Sequence, residues 1–492
     1  MKESLLSLGR YSHRLRATVL AALAGTLSVT ILVGCGSGSM MPPGPPPPVL
    51  NGTTNVAIVL SSTANDRLSS YILQIRSITL TNAAGKSVTL FPGLLANEFI
   101  HGNGNPQLFW TVVVSQDTYT AAALTFTNPS FALIDTAVHT STFSILTQDQ
   151  ARPATIQLPA PITVSGNAMA LDLDLQVAKS FTLQNTMPFA TFTITPVFNL
   201  TASPVMTQPA SSANGKVTAM LGSVASVNAG GNSLNVQSEN EEQAVFETFI
   251  ANTSSFAVTT NANTVFQGVD GLTFLNPGMF LNLDADIQSD GSLLATRIEV
   301  ENIAATHRFI GPLTQIISLS NNIAVTKLQE LGTDTSLVPL STLFFQVDGN
   351  TVFKISGSFT SPPNLPFTPT FDFGNSALAQ HVSVASAAIA RTGGQVNLAK
   401  TVTLVPQTIN GTIASVSASS TFQVFDVTLA SYDPITAISS ASTVVVYVPA
   451  NTQVLANGPL TAGSVARFTG ILFNDNGTLR LVASQVSAGV PE

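Results

Sequence analysis

The chain has 492 residues, a net charge of −8 and a pI near 5.1, and only 9% of its residues are charged against roughly 25% in ordinary soluble domains. An acidic balance with no basic stripe excludes a nucleic-acid binder, whose footprint is a cluster of Lys and Arg. A single cysteine, Cys35, excludes disulfides within the chain and Cys-built metal sites. Sparse Glu, Lys and Arg with abundant Val, Thr and Phe favours strands over surface helices.

Residues 1–34 have the pattern of a secretion signal. Lys2, Arg10, Arg14 and Arg16 form a positive start, and Ala17 to Val33 carries no charge. The run Leu32-Val33-Gly34-Cys35 resembles the lipobox of bacterial lipoproteins. That resemblance implies cleavage before Cys35, acylation of its thiol and attachment to a membrane, since two or more acyl chains hold a protein stably. Gly36, where an Asp would favour inner-membrane retention, points to the outer membrane. Residues 35–50 then form a tether: Gly36-Ser37-Gly38-Ser39 is flexible, and the prolines between Met41 and Leu50 form a semi-rigid polyproline spacer.

The fold class expected is all-β: an N-terminal β-sandwich-like domain at 51–203, followed by about three repeated small β-barrel or sandwich modules at 204–305, 306–407 and 408–492. In the first domain, Val56, Ile58 and Leu60 alternate with Ala57, Val59 and Ser61. Tyr71–Leu80 is a long strand that turns through Ala83-Ala84-Gly85-Lys86 into Ser87–Phe91. Leu108–Val114, Thr118–Phe126, Ala154–Leu158, Met169–Val177 and Ala190–Leu200 supply further strands. Leu171, Leu173 and Leu175 share one face, which puts Asp172 and Asp174 on the other, read as a solvated strand face.

Beyond 203 three markers recur in order. Gly222-Ser223-Val224-Ala225-Ser226-Val227 matches Gly411-Thr412-Ile413-Ala414-Ser415-Val416, with a looser copy from Gly311. An Asn-Thr step follows in each, at Asn263-Thr264, Asn350-Thr351 and Asn451-Thr452. A tight turn then precedes a closing strand, at Asp290-Gly291, Gly393-Gly394 and Asn476-Gly477. The Pro-rich stretch Ser361–Pro369 in the middle copy is read as a surface loop.

These features together resemble bacterial lipoproteins that join an N-terminal domain of unknown function to repeated small β domains, also of unknown function. In the first domain the resemblance rests on Asn55–Leu60, Ser69–Leu80, Asp117-Thr118-Tyr119 and Leu171–Leu175. In the rest it rests on the Gly starts, the Asn-Thr steps and the Gly turns. It implies no activity and offers no catalytic residue.

Motifs for chemistry are missing. There is no G-x-S-x-G, H-E-x-x-H, phosphate loop or C-x-x-C. Ala84-Gly85-Lys86-Ser87 reads as a hairpin turn. His13, His101, His139, His307 and His381 are scattered without ligand spacing and are read as surface or loop residues. Asp284, Asp286 and Asp290 lack the regular oxygen spacing of a calcium loop. Trp110 is the sole Trp and shares a strand face with Leu108, Val112 and Val114, which favours the core. His101, in the loop before it, and Trp110 are the candidate contacts for a small ligand. No catalytic residue, cofactor or metal is expected. The expected function is a non-enzymatic, lipid-anchored cell-envelope protein for structure, adhesion or scaffolding, with the membrane as partner through acylated Cys35. The alternatives are a polysaccharide- or small-ligand-binding lipoprotein and a hydrolase with an unrecognised site.

Overall fold

A computed structural model describes residues 50–489 except 63–67, 100–105, 136–139, 146–150, 187–188, 204, 206–214, 239–254, 289–291, 303–305, 327, 332–341, 388–395, 420, 431–432 and 456–458. Leader, Cys35 and spacer lie outside the described residues. The chain is all-β. Its first part holds β1 (Thr53–Ser62), β2 (Leu68–Asn82), β3 (Ser87–Phe91), β4 (Leu95–Glu98), β5 (Gln107–Ser115), β6 (Asp117–Asp135), β7 (Thr140–Ile145), β8 (Arg152–Gln157), β9 (Ile162–Val164), β10 (Ala168–Leu175), the one-turn helix α1 (Val177–Ser180), β11 (Phe181–Thr186), β12 (Phe189–Ile194) and β13 (Val197–Ser203).

Strand order runs β3-β2-β6-β8-β13-β10-β1-β5, with β8 joining two halves that fold onto one another. Val56, Ile58 and Leu60 of β1 and Leu171, Leu173 and Leu175 of β10 meet Tyr71, Leu73, Ile75 and Ile78 of β2 in one buried core. This is a sandwich in which alternate residues of both halves face inward. The hairpin after β2 forms as its residues dictate: the Asn82 side chain accepts from the N–H groups of Ala84 (3.0 Å) and Lys86 (2.8 Å), and Gly85 takes φ +81°.

Three barrels follow. The first has β14 (Lys216–Asn228), β15 (Ser233–Ser238), β16 (Ser255–Thr259), β17 (Val265–Gln267), β18 (Phe280–Ile287) and β19 (Leu293–Glu301). The second has β20 (His307–Ile317), β21 (Asn322–Thr326), β22 (Gln329–Leu331), β23 (Thr342–Gln346), β24 (Val352–Ile355), β25 (His381–Ser386), β26 (Val396–Leu398) and β27 (Thr401–Leu404). The third has β28 (Gln407–Ala418), β29 (Phe422–Leu429), helix α2 (Pro434–Ser439), β30 (Thr443–Pro449), β31 (Gln453–Val454), β32 (Val465–Asp475) and β33 (Thr478–Ala488).

The first and third barrels have the same strand order. β14-β15-β16 closes through a parallel β16–β19 pair and returns by β18, as β28-β29-β30 closes through parallel β30–β33 and returns by β32. This is the connectivity of a five-stranded Greek-key barrel of the OB type, with β17 or β31 added outside it. The second barrel follows the same path, its closing strand broken into β26 and β27.

The glycine markers have one physical cause. A Cβ on Gly222, Gly311 or Gly411 would lie 2.5, 1.9 or 2.2 Å from a carbonyl oxygen of the neighbouring segment, belonging to Gln237, Thr326 and Thr428 respectively. Each glycine precedes a β-bulge, at Val224/Ser226, Leu313/Gln315 and Ile413/Ser415. The bulge bends the first strand around the barrel while the missing side chain admits its neighbour. The Asn-Thr steps act through their threonines. The hydroxyls of Thr264, Thr351 and Thr452 donate to the carbonyls of Ala295, Ala399 and Ala483, at 2.7, 2.8 and 2.9 Å. Of the three Gly turns, Asn476-Gly477 has φ +51° and +89°, as a type I′ hairpin requires; the other two lie outside the described residues.

Residues 50–492 form one compact unit rather than a string of beads. Ala57, Val59, Leu108 and Ala170, on the outer face of the sandwich, join the core of the first barrel. Leu108 thereby leaves the face it was expected to share with Trp110. Ile58 pairs with Trp110 but Val59 pairs with Leu108, so Phe109 is bulged and the alternation flips there. Nor is Ser361–Pro369 a surface loop throughout. Phe367 is buried and packs on Tyr447 (5.5 Å between ring centroids) and Phe473 (5.6 Å), with the Arg480 guanidinium 5.5 Å above its ring. The insertion fastens the second barrel to the third by burying the Phe367 ring against Tyr447 and Phe473.

Candidate functional site

The alternation of β10 places Asp172 and Asp174 together, but the last barrel roofs their face. Arg467 of β32 sends two guanidinium nitrogens to the Asp174 carboxylate, at 3.1 and 3.2 Å, and donates to the carbonyl of Ser62 at 2.8 Å. The Gln176 amide donates to the second Asp174 oxygen at 2.5 Å. The Ser61 hydroxyl lies 2.8 Å from both Asp172 and Asp174. The reading of this face as solvated is therefore corrected: periodicity gave the face, and a distant part of the chain covers it. Burial, and then the charge of Asp174, push the Asp172 carboxyl well above the ordinary carboxylate range, against the Ser61 bond and Arg467. One hydroxyl has one proton to give. A protonated Asp172 donates to Ser61, which frees Ser61 to donate to Asp174.

Beside this network lies a cavity of about 820 Å³ to which all four parts of the unit contribute, within the roughly 300–1,000 Å³ range of small-molecule pockets. The sandwich supplies Phe109, the first barrel Thr218 and Arg297, the second Phe359, and the third Gln453 and Ile471. Arg297 is held by Asp284 (2.7 Å), Glu299 (2.8 Å) and Asn282 (3.1 Å). Thr218 sits in a bulge of β14 where Ala219 takes φ +52° and its N–H reaches Asp284 at 2.8 Å. Gln453 is wholly buried, and neither atom of its amide has a hydrogen-bond partner; the Thr218 hydroxyl is also unpartnered. No sequence signal marked these two residues, since a lone Gln or Thr in a strand looks like any other.

His381 also lines the cavity and is buried, not at the surface as expected. It opens β25 between the second and third barrels, and its N–H donates to the Gln407 side chain at 2.8 Å. Burial pushes its imidazole down to about 4, so it is neutral at physiological pH. Gln380 and Gln407 complete the seam by donating to the carbonyls of Leu472 (2.9 Å) and Ala379 (3.2 Å).

Trp110 is half-buried in β5 and packs edge-on against Phe91, 5.2 Å between centroids, at the margin of the sandwich core. It does not line the cavity, although its neighbours Leu108 and Phe109 do. His101 and Asp290 lie outside the described residues. Asp284 is engaged by Arg297, and among the described residues no three His, Cys, Asp or Glu side chains gather as a metal site.

Residues 222–299 match the family described as a domain of unknown function, DUF5666. The match begins at the glycine of β14 that admits β15 and ends in β19, so it spans the strands of the first barrel. The chain contains a DUF5666 domain there. No curated protein matches the chain.

Proposed function

We propose that the chain is a lipid-anchored cell-envelope protein, tethered through acylated Cys35, that acts by presenting a fixed surface rather than by catalysis. In this reading 204–305, 306–407 and 408–492 are copies of one barrel module. Their shared path, their glycine-then-bulge starts and their Thr-to-Ala carbonyl bonds support it. The observation that carries the reading is the Arg467–Asp174 contact, which ties the last barrel back onto β10 of the sandwich. A chain meant as a flexible string has no use for a buried ion pair between its first and last domains. The close carboxylate pair Asp172 and Asp174 does not line this cavity and is taken up by Ser61 and Arg467, which argues against a hydrolytic role for it there. The test is fractionation of cells expressing the full chain, with mass spectrometry of the mature amino terminus. An acylated Cys35 in the envelope fraction, lost to the soluble fraction by Cys35→Ser, is expected. An unmodified terminus overturns the reading.

A second reading, a ligand-binding lipoprotein, is favoured by the cavity of about 820 Å³ to which all four parts of the unit contribute.

A further inference from the structure

We propose that the cavity between the four parts of the unit binds a monoanionic amphiphile, an alkyl-chain carboxylate, with the Lys216 ammonium as the partner of its head group. The proposal rests on the ligand-binding reading and names its ligand class.

Lys216 carries the argument. Among the described residues, four titratable side chains line the cavity: Lys216, Asp284, Arg297 and His381. Asp284 and Arg297 are bound to each other, and Arg297 also holds Glu299 and Asn282, so both charges are engaged. His381 is neutral at physiological pH. Lys216 is half-buried and makes no ion pair among the described residues. It stands opposite Asp286 in the ladder between β14 and β18, yet one Asp286 oxygen is buried without a hydrogen-bond partner. The lysine thus lines the cavity without closing on the carboxylate beside it. An ammonium drawn partly out of water with no counter-charge in contact is costly, and an anion entering the cavity removes that cost.

The rest of the lining sets the other end of the ligand. Phe359, Pro362, Pro363, Val405 and Pro406 line the cavity from the second barrel and are half-buried or exposed, so they present apolar surface to an alkyl chain. The Phe359 ring is held by Phe473, 5.3 Å between centroids. Apolar walls with few directed polar groups are the usual make-up of a small-molecule pocket. A lone ammonium is a compact point charge and balances one negative charge, as on a carboxylate. A dianionic phosphate ester would call for a second free cation, and among the described residues the lining has only the engaged Arg297.

The experiment is isothermal titration calorimetry on the full chain in phosphatidylcholine nanodiscs, with protein-free nanodiscs as the blank. The probes are octanoate, hexanoate, 1-octanol, octylammonium and octyl phosphate. Octanoate should bind most tightly of the octyl compounds, and about tenfold or more tighter than hexanoate, the factor that two buried methylenes give. Lys216→Met should weaken octanoate by about tenfold or more, as the loss of a hydrogen bond to a charged group does, and leave 1-octanol unchanged. Lys216→Arg should keep the preference for octanoate. Phe359→Ala should weaken octanoate and 1-octanol alike. The ligand class is overturned, and the ligand-binding reading left standing, if 1-octanol, octylammonium or octyl phosphate binds as tightly as octanoate, or if Lys216→Met leaves octanoate untouched. It is also overturned if Lys216→Met unfolds the chain while the folded Lys216→Arg variant binds octanoate no better than 1-octanol. Binding of none of the probes overturns the ligand class and the ligand-binding reading together. The envelope fractionation decides the anchored-scaffold reading independently of all these outcomes.

Discussion

The guanidinium of Arg467 grips the carboxylate of Asp174 through two nitrogens across 293 residues of sequence, with both side chains less than a tenth exposed. Taking two charges out of water is costly, and their attraction offsets that only with good geometry and further hydrogen bonds. Here Ser61, Gln176 and the Ser62 carbonyl supply them. Removing one partner leaves the other charge buried and alone. Arg467→Met is expected to destabilise the chain by about 3–5 kcal/mol in urea denaturation. The double variant Arg467→Met, Asp174→Leu should recover most of that loss. Equal destabilisation by both would show that the contact itself matters little.

The N-cap of α2 gives a pH dependence. Asp433 is wholly buried, with one carboxylate oxygen accepting from Ile435 (2.9 Å) and the other from Asn410 (3.2 Å). Burial outweighs both bonds and pushes its carboxyl from 3.8 up to about 7. Between these values the folded chain keeps a proton that the unfolded chain has released. Its contribution to stability is thus complete below pH 3.8 and fades as pH rises through about 7. Asp433→Asn cannot accept from both N–H groups, so it should cost about 1 kcal/mol at every pH. It should also remove this decline from the slope of stability against pH. An unchanged slope in the variant would place the titration elsewhere.

His381 works in the opposite sense. Burial lowers its imidazole from 6.5 to about 4, so between these values the unfolded chain binds a proton that the folded chain refuses. Stability is lost as pH falls from 6.5 towards 4 and is unaffected by this group above 6.5. His381→Gln should flatten the acid limb of a melting-temperature profile and leave its alkaline limb in place. Direct titration by NMR should find the imidazole neutral at pH 6 in the native chain.

How much of this was legible follows from what periodicity can report. Alternation along β1, β2 and β10 identified strands and their inward faces, because a period of two is a property of the local backbone. The Gly and Asn-Thr markers were visible because the barrels need those residues for steric and hydrogen-bond reasons that act nearby. What covers a face is decided by residues far away in sequence. Asp172 and Asp174 therefore looked solvated until Arg467 was placed over them, and His381 looked superficial until the third barrel closed on it. Phe367 lay in a run of prolines that reads as a loop, and only Tyr447 and Phe473 make it an anchor. The bulge at Phe109 moved Leu108 to the other face with no glycine or proline inside β5 itself to announce it. Gln453 was invisible for a different cause: its meaning is a missing partner, which no sequence displays.

The barrel glycines should rank by the space a methyl group would need. Gly311→Ala would press a Cβ to 1.9 Å from the Thr326 carbonyl oxygen, Gly411→Ala to 2.2 Å from that of Thr428, and Gly222→Ala to 2.5 Å from that of Gln237. All three contacts are with backbone, which cannot turn away. Overpacking of this kind costs about 1–3 kcal/mol and sometimes more. Thermal melts should find Gly311→Ala at least as damaging as Gly411→Ala, and both worse than Gly222→Ala. Gly230→Ala is the comparison, since its Cβ would meet nothing nearer than 3.8 Å. A flat series, with Gly230→Ala as harmful as the rest, would remove the steric account of the markers.

The threonine of each Asn-Thr step offers the most direct test of equivalence between the barrels. Thr264, Thr351 and Thr452 each donate a hydroxyl to an alanine carbonyl of the closing strand segment, within 2.7–2.9 Å. Each also receives its place from a backbone bond three residues back, to Asn261, Asp348 and Pro449. Valine keeps the shape and removes the donor, so each carbonyl is left without that bond at a cost of about 1–3 kcal/mol. Serine keeps the donor and loses only a methyl. If the three sites are one structural element, Thr264→Val, Thr351→Val and Thr452→Val should lower the melting temperature by similar amounts, and the three serine variants should each recover most of the loss. A large cost at one threonine with none at the others would mean that the shared geometry does not carry shared energetics.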